Sequence, residues 1–223
     1  MKIFLKYVNK TEQLSFLLDE IKLPRVPKKV VYILTDEEIA LVFSSIKSVA
    51  PWLTARNKAC VALMLDSGIR QGELCSLLRR DVSFNAQNMK VRGKGSKERI
   101  VPLGASSIRL VKEYIALCPH KIDNHLFVND IGKPMTGNAV RQFMERIAAH
   151  LPFEFSSHRL RHNFATNFLL DMYEHTGYLD GYQLMVILGH TDMKVTQVYI
   201  HAAQEIIASR ASFSHLDKLG IIS

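Results

Sequence analysis

The sequence contains the segment His158-Arg159-Leu160-Arg161-His162, followed by Leu188-Gly189-His190 and by Tyr199 nine residues later. Together these three segments supply imidazoles, a guanidinium group and a phenol. Cleavage of a phosphodiester by a side chain needs an attacking oxygen, cations around the phosphorane, an acid for the leaving oxygen and an acceptor for the nucleophile's proton. The three segments therefore contain residue types that suit a tyrosine nucleophile acting on a phosphodiester.

Two further segments lie upstream, Gly68-Ile69-Arg70-Gln71-Gly72-Glu73-Leu74 and Gly93-Lys94-Gly95-Ser96-Lys97-Glu98-Arg99. Arginine suits phosphate because it donates two parallel hydrogen bonds and keeps its charge. Arg70 stands at the start of a predicted helix, where free backbone N–H groups also favour an anion. The glycines around Lys94 allow a tight turn that could enter a DNA groove. The net charge of +8 agrees with a nucleic-acid partner.

In content and order, these segments resemble the catalytic domain of the tyrosine recombinases, the family of phage integrases and Xer recombinases. The resemblance covers roughly residues 35 to 205. It implies six catalytic residues, which are Arg70, Lys94, His158, Arg161, His190 and Tyr199.

The resemblance also implies a role for each of these residues. Tyr199 would be the nucleophile, and Arg70 and Arg161 would clamp the phosphate. Lys94 would be the general acid for the 5′-hydroxyl. His158 would accept the nucleophile's proton or stabilise the acceptor, and His190 would donate a hydrogen bond to the phosphate.

Several neighbouring residues are expected to support this site or compete for a place in it. Glu73 would brace the active-site side chains, Lys97 is the rival lysine, and Arg99 would contact the DNA backbone. His162 would pack beneath the site, and His201 is a weaker candidate for taking part. Tyr173 and Tyr178 are rival phenols without the family's spacing.

A metal site is not expected. His158 and His162 have the spacing of a metal pair, but no third ligand stands at metal spacing and Arg161 between them would repel a cation. The sequence has no Asp/Glu cluster of the kind that two-metal catalysis uses. The prediction is therefore catalysis without a metal or another cofactor.

The segment Leu23-Pro24-Arg25-Val26-Pro27-Lys28-Lys29 is the clearest break in the chain, because its prolines fix φ and remove backbone donors. We therefore predict a remnant of an N-terminal helical core-binding region over residues 1–22 and a basic linker over 23–34. The catalytic domain with its C-terminal helix would then cover 35–223. Arg25, Lys28 and Lys29 of the linker are expected to contact DNA.

The fold class predicted for the catalytic domain is mainly α with a small three-stranded antiparallel β-sheet. Thr35 with Glu38 forms a capping-box pattern at the first helix. Strands are predicted around Ser83, Lys90 and Ile100, and a long loop is predicted over residues 171–181. Predicted helices span about 35–49, 54–66, 72–78, 106–117, 137–149, 158–171, 182–188, 194–199 and 203–216.

The predicted function is a site-specific DNA recombinase that cuts and rejoins strands through a 3′-phosphotyrosine, without metal or ATP. Its partners would be double-stranded DNA, a homotetramer on two duplexes, and accessory DNA-binding proteins. Two alternatives are a type IB topoisomerase and a non-catalytic DNA-binding regulator of the same fold. Three scattered cysteines and the lack of a long apolar run predict a cytoplasmic protein with no membrane association. The resemblance implies a bacterial protein that is associated with the nucleoid when bound to DNA.

The terminal helix has two possible roles. Ile206, Ile207, Phe213 and Leu216 would form its apolar face, which would dock on a neighbouring protomer or pack on its own domain.

Overall fold

The computed structural model describes residues 32–93, 97–121 and 124–210, in which helices predominate around one small sheet. The helices are α1 (Asp36–Ser45), α2 (Pro51–Ser67), α3 (Gln71–Ser76), α4 (Ala105–Leu117), α5 (Gly137–Ala148), α6 (Ser157–Thr176), α7 (Gly181–Leu188) and α8 (Met193–Arg210). The strands are β1 (Val82–Ser83), β2 (Asn88–Arg92) and β3 (Glu98–Pro102). The predicted fold class is confirmed.

The first two helices begin and end where local sequence signals place them. Thr35 and Glu38 form the capping box, and α1 starts at the next residue, Asp36. Helix α2 begins with Pro51 and ends at Gly68, whose φ of 61° is the left-handed conformation that favours glycine. Helix α2 packs against both α4 and α6, so it is buried on most sides and forms the centre of the main core.

The sheet is antiparallel with the order β1-β2-β3. Met89 pairs with Val101, and Val91 pairs with Arg99. Residues that face each other across an antiparallel pair point to the same side of the sheet. Because Met89, Val91 and Val101 are all buried, the register also turns the side chain of Arg99 toward the interior.

A second, smaller core lies between α6, α7 and α8. Its buried residues are Ala165, Leu169, Leu170, Leu184, Leu188, Tyr199 and Ala203. Tyr199 is thus part of the packing that holds the last three helices together, and only 4% of its surface is exposed.

The predicted long loop over residues 171–181 is wrong. Helix α6 does not end near Asp171 but continues to Thr176, and Gly177 closes it with a φ of 79° and a backbone hydrogen bond to Tyr173. Asp171 to Thr176 include neither glycine nor proline, so the helix is interrupted only at the first residue that adopts the left-handed conformation easily. The additional residues lengthen a helix.

The predicted break after Tyr199 is also wrong. Helix α8 is continuous from Met193 to Arg210, because Tyr199, Ala202 and Ala203 are all buried on one surface of it. Ile206 and Ile207 pack against the second core of their own domain, as the second of the two possible roles requires. Phe213 and Leu216, the core-binding remnant 1–22 and the linker residues Arg25, Lys28 and Lys29 lie outside the described residues.

None of the helices in the described part of the chain is both long and apolar enough to cross a membrane.

Candidate active site

Arg70 directly precedes α3, and Glu73 holds it from the first turn of that helix. The Glu73 carboxylate accepts the backbone N–H of Arg70 at 2.8 Å and its Nη1 at 3.1 Å. The Arg70 side chain nevertheless remains 44% exposed, whereas that of Glu73 is only 5% exposed. Glu73 therefore holds the backbone and one guanidinium nitrogen of Arg70 and leaves most of the guanidinium group open to a ligand.

Arg161 is a buried cation that caps the ends of two helices. Its Nη1 donates to the carbonyl of Gly68 after α2, and its Nη2 donates to the carbonyl of Leu188 at the end of α7, at 2.9 Å. The last carbonyls of a helix lack partners within the helix and carry the negative end of its dipole, so a cation stabilises them. Burial, and then the charge of Arg70, lower the pKa of Arg161 to about 10, which keeps it protonated at neutral pH.

The two arginines meet at one acceptor. Nη1 of Arg70 also reaches the Leu188 carbonyl, at 3.4 Å. Within the described residues, Arg161 has no carboxylate in ion-pair contact. An anionic oxygen that took the place of this carbonyl would thus meet two guanidinium groups.

The ring of His190 has both nitrogens engaged. Nε2 lies 3.0 Å from Nη2 of Arg161, and Nδ1 lies 2.9 Å from the hydroxyl of Thr196. Because a guanidinium group only donates, Nε2 is the acceptor and Nδ1 carries the proton. Burial and the charges of Arg161, Arg70 and Arg99 lower the pKa of His190 to about 4, so the ring is neutral at neutral pH. To donate to a phosphate, as expected, His190 must give up one of these two contacts.

Tyr199 packs directly against the histidines of the site. Its ring is stacked on His190, with centroids 6.2 Å apart, and lies 5.2 Å from the ring of His162. Burial raises the pKa of Tyr199, and the charge and hydrogen bond of Arg161 with the charge of Arg70 offset only part of this effect. The phenol is therefore held protonated until it meets both a proton acceptor and its target.

His158 and His162 lie one turn apart on α6 and form a hydrogen-bonded pair. Their Nε2 atoms are 2.6 Å apart, and the rings meet edge to face. His158 is exposed, while His162 is partly buried between His158 and Tyr199, which agrees with its expected place beneath the site. Across the described ranges, no cluster of three or more His, Cys, Asp or Glu could hold a metal ion.

Lys94 lies outside the described residues, and the structure describes only the ends of its turn. Gly93 donates its backbone N–H to the carbonyl of Lys97 at 2.8 Å, and Lys97 itself is exposed. Gly93 and Lys97 line a cleft of about 870 Å³, together with Arg70, Arg92, Arg99, His190 and other residues. The lining contains four cations and two carboxylates, Glu73 and Glu98, and this excess of positive charge suits a polyanionic ligand.

The structure gives Arg99 a different place from the expected DNA contact. Its Nη1 and Nη2 each donate to Glu73 at 2.8 Å, and its Nε donates to the carbonyl of Ile187 at 2.7 Å. Its side chain is only 10% exposed. The physical reason is strand parity, because Arg99 lies on the same side of β3 as the buried Val101. Arg99 ties β3 to α3 and α7 and, through Glu73, orients Arg70.

Sequence reasoning missed two parts of the site. Thr196 orients His190, and its signal was helical spacing, because it lies three residues before Tyr199 on the same helix. The carbonyls of Gly68 and Leu188 that hold Arg161 gave no side-chain signal. The glycines Gly68 and Gly189 mark where the two helices end, but they do not show that the two ends approach each other.

The model of the phage integrase family matches residues 33–205. The chain belongs to the phage integrase family. It is 31% identical over 191 residues to tyrosine recombinase XerD of Halalkalibacterium halodurans, with 82% of this chain and 62% of that protein covered. It is 32% identical over 202 residues to tyrosine recombinase XerC of Xanthomonas axonopodis pv. citri, with 89% and 60% covered.

Solved structures show the same fold. The crystal structure of XerA recombinase superposes with a TM-score of 0.67 at 22% identity, over 96% of this chain and 75% of that one. XerH recombinase in a post-cleavage complex with a palindromic difH substrate gives 0.68 at 27% identity, over 88% and 57%. The chain spans about three-fifths of the length of the XerD and XerC relatives.

Proposed function

We propose that this chain is the catalytic part of a site-specific DNA recombinase that uses Tyr199 as its nucleophile. The observation that carries the proposal is that Arg70 and Arg161 converge on the carbonyl of Leu188, with His190 against Arg161 and Tyr199 stacked on His190. Two guanidinium groups and a phenol within one site match the needs of a phosphodiester under attack. The family membership and the DNA complex of the related XerH support the same reaction.

The proposed cleavage step begins when a DNA phosphate takes the acceptor position of the Leu188 carbonyl, between Arg70 and Arg161. The phenol oxygen of Tyr199 attacks phosphorus, and the bond to the 5′-oxygen breaks. The 5′-oxygen takes a proton from Lys94, and the phenol proton passes to His158. The products are a 3′-phosphotyrosine and a free 5′-hydroxyl, which can attack the phosphotyrosine in reverse to rejoin strands.

The proposed partner is double-stranded DNA, with a homotetramer on two duplexes and accessory DNA-binding proteins as further proposals. Lys97 at the rim of the cleft, and Arg25, Lys28 and Lys29 of the linker, would contact the DNA backbone. Counterion release from such contacts makes binding weaken as salt rises. The proposed location is the bacterial cytoplasm, where such DNA is found.

A suicide substrate tests the nucleophile. DNA nicked beside the cleavage site loses its short 5′ product, so that the covalent protein–DNA adduct accumulates and can be counted on a denaturing gel. Tyr199→Phe should abolish the adduct while DNA binding persists. Tyr173→Phe and Tyr178→Phe are matched controls, since both phenols are on the surface, and they should keep it. An adduct in the Tyr199→Phe protein would assign the attack to another residue.

A further inference from the structure

Within the site just proposed, His162 has contacts that simple packing does not explain. Its Nε2 lies 2.6 Å from Nε2 of His158, and its ring lies 5.2 Å from the ring of Tyr199. Its Nδ1 is buried and has no hydrogen-bond partner. His162 thus stands between the buried phenol and the exposed imidazole of His158, with one nitrogen engaged and the other free.

The position of the protons follows from that free nitrogen. A hydrogen bond between two neutral imidazoles needs one donor and one acceptor. If His158 donated, then Nδ1 of His162 would carry a buried N–H without a partner, which is rarer and more costly than an unused acceptor. His162 therefore donates from Nε2 to His158, and its Nδ1 is an unprotonated lone pair.

The same tautomer closes the direct route from Tyr199 to His158. Nε2 of His158 accepts the hydrogen bond from His162, and its Nδ1 then carries the proton of the neutral ring. His158 has no free lone pair for the phenol. His162 has one at Nδ1, on a ring whose centroid lies 5.2 Å from that of the Tyr199 phenol.

We propose that His162 relays the phenol proton of Tyr199 to His158. The inference rests on the proposed function and adds a residue to it. The phenol proton moves to Nδ1 of His162 as the oxygen bonds to phosphorus, and the proton on Nε2 of His162 moves to Nε2 of His158. His162 ends neutral as it began, and the positive charge appears on the exposed His158 ring.

The electrostatics around His162 agree with this direction of transfer. The charged and titratable groups near it are His158, Arg159 and Arg161 on its own helix and Tyr199 on α8. Burial, followed by the charges of His158, Arg161 and Arg159, lowers the pKa of His162 to about 4. His162 is therefore neutral at neutral pH and does not retain the proton that it receives.

Adduct formation on the suicide substrate gives the first test, with folding checked by thermal melting. His162→Phe keeps a ring but no nitrogen, and it should slow the adduct by about 10²–10⁴-fold, the usual contribution of a positioned base. His162→Ala should be slow in the same way and should recover with added imidazole. The matched control is His175→Ala, an exposed histidine on the same helix as His162, which should match the unaltered protein with or without imidazole.

The outcomes separate the relay from the function on which it rests. If His162→Phe forms the adduct at a rate within about threefold of the unaltered protein, the relay is overturned and the proposed function stands. The same conclusion follows if imidazole does not restore a folded His162→Ala protein. If the unaltered chain forms no adduct, the proposed function fails, and the relay fails with it.

Nitrogen-15 NMR of the unaltered protein tests the tautomers without any reaction. Chemical shifts distinguish protonated from unprotonated ring nitrogens. The relay requires Nδ1 of His162 to be unprotonated and Nδ1 of His158 to be protonated at neutral pH. The reverse assignment would overturn the relay, because His162 would then have no lone pair for the phenol.

Discussion

Replacing Arg99 by methionine tests the claim that this residue holds the site together from within. The substitution keeps much of the side-chain length but removes both hydrogen bonds to Glu73 and the one to Ile187. Glu73 would remain as a carboxylate with a side chain only 5% exposed. Its remaining partners are the backbone N–H and the guanidinium group of Arg70.

The expected loss follows from the burial of this pair. Removing one partner of a buried ion pair costs about 3–5 kcal/mol, because the other charge stays buried. Glu73 keeps its contacts with Arg70, but the Arg70 side chain is 44% exposed and water screens its charge. We therefore expect a loss of about 3 kcal/mol, near the lower end. For a domain of this size, that lowers the melting temperature by roughly 6–12 °C.

The assay is thermal unfolding at neutral pH, with Arg141→Met as the matched control. Arg141 pairs with Glu145 at 3.2 Å, but both side chains are more than 60% exposed. Such a pair within a helix contributes about 0.3–0.5 kcal/mol, so the control should melt within about 2 °C of the unaltered chain. If Arg99→Met melts as the control does, then Arg99 does not support Glu73 and the reasoning is refuted.

The pH dependence gives this prediction a second check. Burial would raise the pKa of Glu73, but the hydrogen bonds and charges of Arg99 and Arg70 lower it below its ordinary value. A carboxylate with a lowered pKa stabilises the folded state above its unfolded pKa, and this contribution is lost as the pH falls through the folded pKa. Without Arg99, the pKa of Glu73 should rise from this lowered position, because only Arg70 then opposes the effect of burial. The difference between the two proteins should therefore shrink in acid.

Three further predictions follow from the same structure and the proposed reaction. Gly68→Ala should lower the free energy of unfolding by about 2–4 kcal/mol, because alanine is strained in the left-handed conformation of this position and its methyl group would collide with Phe164. Gly177 is also left-handed but has open space around it, so Gly177→Ala should cost only about 1 kcal/mol in thermal unfolding. Equal losses in the two proteins would show that the collision is absorbed. Lys94→Ala should slow adduct formation by about 10²–10⁴-fold, and a substrate with sulfur at the 5′-bridging position should restore the rate, because a thiolate leaves without a proton. Failure of the sulfur substrate to restore it would point to Lys97 as the acid. Adduct formation should persist in excess EDTA, because Arg70 and Arg161 supply the cations, and recovery of a lost activity by Mg²⁺ would contradict this.

Several contacts of the candidate site join residues that are far apart in the sequence, and local sequence patterns do not predict such contacts. Arg161 binds the carbonyl of Gly68, 93 residues earlier in the chain, and Glu73 binds Arg99, 26 residues later. The inward direction of Arg99 was open to prediction, because Arg99 and the apolar Val101 are two residues apart on β3 and therefore share a face. The tautomer of His190 was not, since it depends on how closely α6 approaches α7 and α8.

The sequence by itself determined the residue types of the site and most of the helices. Phosphodiester chemistry requires particular side chains, and helix starts depend on local signals such as the capping box of Thr35. Only the tertiary structure decided that α8 runs unbroken through Tyr199, that this phenol is buried, and that His162 contacts both it and His158. These features arise where helix surfaces meet, and their stability comes from burying apolar area that no single segment can cover alone.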